Sequence, residues 1–89
     1  MTDAAPLGDI AAEILRQTET RGIGKSICPS EIARALAPDN WRPLMTPVRE
    51  AAAALSDAGQ VLILRKGRPV PATEMRGVIR LTTAGKGPA

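Results

Sequence analysis

Hydrophobic positions in the first third of the chain recur at intervals of three and four. Leu7, Ile10, Ala11, Ile14 and Leu15 fall on one side of a 3.6-residue period, and Glu13, Arg16 and Gln17 fall on the other. That spacing predicts an amphipathic helix. It is expected to start near Asp9, a good N-cap, and to end before Gly22. Residues 1–6 are small and polar and are expected to fray. Ile23-Gly24-Lys25-Ser26-Ile27 is too short for an element of its own, but can supply a one- or two-residue bridge to a later strand.

A second helix is predicted over Pro29 to Leu36. Proline suits a first helical turn, where its missing N–H has no intrahelical partner. Glu31 stands three residues after Cys28, where a capping-box acid belongs. Ile32, Ala33 and Leu36 form the inward stripe, and Pro38 ends the helix. In the third helical region Trp41, Leu44, Met45, Val48, Ala52 and Leu55 keep helical spacing up to Gly59. Pro47 inside that run predicts a kink, or a fresh start with Thr46 as cap and Pro47 as first residue.

After Gly59 the period changes. Val61-Leu62-Ile63-Leu64-Arg65 reads as a buried strand and Gly77-Val78-Ile79-Arg80-Leu81 as its partner. The segment from Lys66 to Arg76, with two prolines and four basic residues, reads as a long exposed hairpin loop. Thr82 onward reads as loose. The whole predicts a single α+β domain over 1–89, with an ordered core of about residues 7–82. Its expected architecture is a winged helix-turn-helix: three helices followed by a two-stranded β-hairpin wing.

Charge changes the picture more than composition does. The chain of 89 residues carries a formal net charge of +3. Residues 1–59 sum to −2, whereas residues 60–89 sum to +5, with Glu74 their one acid. A basic C-terminal third suggests a polyanionic partner. The absence of His excludes Ser-His and Cys-His catalysis and His-ligated metal centres, and the single Cys28 excludes an internal disulfide and a Cys-rich zinc site. No cofactor is expected. Asp39 and Glu50 lie three helical turns apart with no cleft-forming segment around them, so an enzyme is not expected. Gly24-Lys25-Ser26 resembles the end of a phosphate-binding loop, but Glu19 stands where that loop needs glycine. The lack of a basic, apolar leader and the lone cysteine point to a cytoplasmic protein, and no apolar run is long enough for a membrane helix.

Ile27-Cys28-Pro29-Ser30-Glu31-Ile32-Ala33-Arg34-Ala35-Leu36, Trp41-Arg42-Pro43-Leu44-Met45, Val48-Arg49 and Arg76-Gly77-Val78-Ile79-Arg80-Leu81 together closely resemble the small bacterial domain-of-unknown-function family numbered 3253. The resemblance covers about residues 9–82. It implies a winged-helix-like fold and carries over no catalytic or binding residues.

The functional expectation therefore rests on charge and element order. Arg65, Lys66, Arg68 and Arg76 in the wing are the expected phosphate contacts, with a log–log salt slope of about −3.6 if all four engage. On the third helix Arg49 is expected to reach a guanine and Arg42 or Thr46 a phosphate. The expected partner is nucleic acid, duplex DNA first, in the setting of transcription regulation. A homodimer is conceivable, as many helix-turn-helix proteins pair, though no element is an obvious dimerisation helix. The rival reading is a protein–protein interaction module on the same scaffold, favoured by the alanine-rich third helix. A thiol sensor at Cys28 is a third, with an inert half-buried cap as its bland counterpart. Trp41 reads as a core anchor rather than a base-stacking platform, and Lys25 as a further backbone-phosphate contact.

Overall fold

The structure, a computed structural model, describes residues 7–84. The segment expected to fray, 1–6, and the last five residues lie outside the described residues. Helix α1 spans Leu7–Arg21, α2 Pro29–Leu36 and α3 Met45–Asp57; strands β1, β2 and β3 span Val61–Arg65, Arg68–Val70 and Arg80–Thr83. Short 3-10 turns cover Arg42–Leu44 and Ala72–Glu74. The chain is α+β, with an antiparallel sheet in the order β2-β1-β3.

The helical periods translate directly into packing. Ile10 and Ile14 of α1, Ile32 of α2, Val48, Ala52 and Leu55 of α3, and Val61, Ile63 and Leu81 of the sheet are buried in one core. Gly22 ends α1, its N–H reaching the Thr18 carbonyl at 3.0 Å with φ at 89°. Glu31 closes the start of α2, one carboxylate oxygen accepting from the Cys28 N–H at 2.9 Å. The other oxygen accepts from Arg21 at 2.7 Å and so ties the end of α1 to the start of α2. α3 ends at Gly59, which has φ at 78°. There the Gly59 N–H meets the Ser56 carbonyl and the Gln60 N–H meets the Leu55 carbonyl, the two bonds of a Schellman motif.

The fresh start expected at Pro47 falls two residues earlier, with Leu44 rather than Thr46 as N-cap and Met45 rather than Pro47 as first residue. The turn Arg42–Leu44 runs straight into α3 at Met45, which leaves Pro47 within the first helical turn. N–H groups there have no intrahelical acceptor, so proline removes nothing. The expected bridge does form: Ile27 pairs with Leu81, with both backbone bonds at 2.8 Å.

The two-stranded hairpin with a long loop is corrected. Lys66 and Gly67 form a two-residue turn with φ at 54° and 79°, and the chain returns at once as β2. Two successive positive φ values define a type I′ turn, whose twist matches that of the strands. Arg65 faces Arg68, and Leu64 faces Pro69. Pairs flanking such a turn exchange backbone bonds and the next pair does not, so Pro69 costs the ladder nothing. The expected second strand over 77–81 is displaced to Arg80–Thr83, with Leu62 facing Thr82. Thr82, expected in a loose tail, is 6% exposed, and its hydroxyl donates to the Lys25 carbonyl at 2.6 Å.

Candidate nucleic-acid interface

The seven cationic and polar residues singled out in the sequence fall into three places. Arg65, Lys66 and Arg68 stand together at the tip of the β1–β2 hairpin, all exposed. With Val70 they line an open recess of about 310 Å³. Among the described residues ion pairs form at Arg16–Glu13 and Arg21–Glu31, and neither involves the tip. The direct opposition of Arg65 and Arg68 across the strands is a like-charge pair, which a hairpin does not favour. The first position of a type I′ turn favours Asn, Asp or Gly, and a lysine held at φ 54° carries a steric penalty from its Cβ.

The outer side of α3 is occupied differently. Arg49 is half-buried, and its guanidinium donates to the Met75 carbonyl and, at 3.2 Å, to the Gly77 carbonyl. The arginine expected to read a guanine thus holds the loop after β2 against its own helix. Arg76 lies between those two carbonyls, exposed, and belongs to this loop rather than to the hairpin tip. Thr46, Arg49, Glu50, Ala53 and Met75 line an open groove of about 270 Å³ along this side. Thr46 is exposed there.

Arg42 is at the third place, the corner between α2 and α3. Its guanidinium carbon sits 5.0 Å from the centre of the Trp41 ring, and that of Arg34 sits 4.4 Å from it. Trp41 is half-buried and packs against the core from its edge, so the ring is part anchor and part platform for two cations. Arg34 is not among the contact residues expected from charge and element order. Six residues separate it from Trp41, and only the fold of the turn brings them together.

Arg80 and Arg16 are committed elsewhere. Arg80 donates to the Ser26 hydroxyl at 2.6 Å and to the Ser26 carbonyl at 3.0 Å, bracing the Ile27 bridge. Arg16 and Gln17 both donate to Glu13 on α1. The Arg16 bond, and more weakly that of Gln17, outweighs partial burial and holds the Glu13 carboxyl below its ordinary range. Lys25 is exposed, with its ammonium unpaired among the described residues. The Cys28 sulfur is half-buried, accepts from the Ser30 hydroxyl at 3.2 Å and lines a recess with Pro29, Met45 and Ile79. No helix among the described residues is long and apolar enough to cross a membrane.

The family model described as protein of unknown function (DUF3253) matches residues 8–84, nearly all of the described chain. No curated protein matches the chain.

Proposed function

The chain belongs to the DUF3253 family of proteins of unknown function, and we propose that it is a small winged-helix protein that binds duplex DNA through its hairpin tip. The observation that carries this reading is the tip itself. A lysine occupies a backbone position that disfavours it, beside two arginines directly opposed across the strands, and none of the three forms an ion pair among the described residues. Local strain and like-charge repulsion both oppose this arrangement in the isolated domain, and a polyanion relieves the repulsion. Winged-helix architecture fits the element order, with Ile27 as a first strand reduced to one bridge and the hairpin as the wing. Phosphate contacts of this kind set affinity and position, not sequence. With Arg49 turned onto its own loop, base reading by α3 is left to shorter side chains, and sequence preference should be weak.

The test is an anisotropy titration of a labelled random-sequence duplex at two salt concentrations. Wild type is expected to bind with strong salt dependence. Arg65→Gln/Lys66→Gln/Arg68→Gln should remove about 2.7 from the log–log slope, at ~0.9 per phosphate. Reversal of the three charges to Glu should abolish binding with the thermal midpoint intact. No binding at low salt, or a charge-reversed variant that binds like wild type, overturns the proposal. A second reading is kept by the groove on α3, whose lining of Thr46, Ala53 and Met75 suits a protein partner better than a base edge. On that reading the tip variants are silent and changes at Ala53 are not.

A further inference from the structure

Trp41 is the chain's one aromatic side chain, and two arginines converge on it. We propose that this α2–α3 corner is a second phosphate clamp, in which Arg34 and Arg42, held over the indole, grip the backbone of the same duplex that the hairpin tip engages. The proposal rests on the DNA-binding reading of the tip.

The argument begins with what the ring does to a guanidinium. A cation over an indole face is held by the ring's negative quadrupole. The N–H donors of a guanidinium point outward in its own plane, so its capacity to fork onto a phosphate survives the stacking. Neither Arg34 nor Arg42 has a hydrogen-bond or carboxylate partner among the described residues, and both are exposed. Asp39, on the turn between them, pairs with neither. Arg34 also lies in the last turn of α2, where the helix dipole favours a cation, but that leaves its donors free. Two long side chains that would otherwise sample many rotamers are thereby pre-organised around one ring, and pre-organisation is what a weak polar contact most lacks.

The ring is a poor seat for a nucleobase, because two guanidiniums already lie over it and a base would have to displace them. The donors at the rim suit phosphate instead. The corner also differs in kind from the tip: at the tip the cations are spread by strand geometry, whereas here they share a support.

Trp41 makes the corner directly observable, since its emission reports on this site alone. Wild-type protein titrated with a duplex should show a Trp41 emission change that saturates together with the anisotropy of the labelled DNA. Arg34→Gln/Arg42→Gln should lower the salt slope by about 1.8, weakening binding by about 60-fold at ~0.1 M salt and converging on wild type toward ~1 M. Arg34→Lys/Arg42→Lys, which keeps both charges, should retain most of the slope and controls for loss of fold. If wild type binds and the tip variants do not, yet the double Gln variant keeps the wild-type slope and affinity, the clamp is overturned and the tip reading stands. A larger Trp41 response to single strand than to duplex overturns it in favour of base stacking. Absence of any salt-dependent duplex binding by wild type overturns the tip reading, and the clamp falls with it.

Discussion

Arg49 and Arg68 look alike in the sequence: each is a basic residue within two positions of a proline, in the part of the molecule expected to face DNA. Their surroundings separate them. Arg68 stands at a hairpin tip opposite another arginine, with no ion pair among the described residues. Arg49 reaches across from α3 and spends its donors on the carbonyls of Met75 and Gly77. One is charge held outward; the other is a strut. Arg16 supplies a third case, a guanidinium paired with Glu13 one turn earlier on its own helix. A count of basic residues treats the three alike, while only the first has its donors available to a ligand.

The contrast can be broken most sharply at Arg49. Arg49→Met should cost about 1–2 kcal/mol, since two carbonyls lose a charged donor, whereas Arg68→Met should stay within about 0.5 kcal/mol. Urea midpoints of the two variants measure the gap, and equal losses would show that Arg49 is not a strut. Lys66→Gly should act with opposite signs on two readouts. Relief of the positive φ should stabilise the hairpin by about 0.5–1 kcal/mol, while the loss of one cation weakens duplex binding about eightfold at ~0.1 M salt. A variant that loses both stability and binding would mean that the turn needs lysine for packing.

The smallest effect belongs to the Glu13 pair. Its carboxyl is lowered by the Arg16 bond, so its contribution to stability is complete above the unfolded value and drains away as pH falls through the lowered folded value. Glu13→Gln should flatten that acid-side slope slightly. The Arg49 strut, whose acceptors are carbonyls, should show no such dependence. Both follow from stability measured across mildly acidic pH.

The parts legible in the sequence were those governed by one local period. Ile10 and Ile14, Ile32, and Val48 and Leu55 gave three helices, and the Val61–Arg65 run gave its strand. Even the Ile27 bridge could be anticipated from its position. β2 is hard to read because Arg68-Pro69-Val70 is short and contains proline. The signal was present in Lys66-Gly67, a two-residue turn before an edge strand that tolerates proline. The burial of Thr82 is hidden because a polar residue near the terminus gives no sign of the Lys25 carbonyl that accepts its hydroxyl. The fate of the cations was not legible at all. Arg49 depends on where residues 75–77 pass, and Arg34 on the angle of the turn that carries Trp41. Both are settled by tertiary geometry rather than by spacing.

Pro69 has a consequence for the protein in a crowded solution. A strand at the border of a sheet offers unpaired amide hydrogens on which another polypeptide can zip itself, the opening move of fibril growth. On β2 the residue whose amide would point away from the sheet is the proline, which has none to offer, and the neighbouring Arg68 adds electrostatic repulsion between copies. The exposed border of this sheet therefore resists templating by its own kind, and a Pro69→Thr substitution would restore the missing donor.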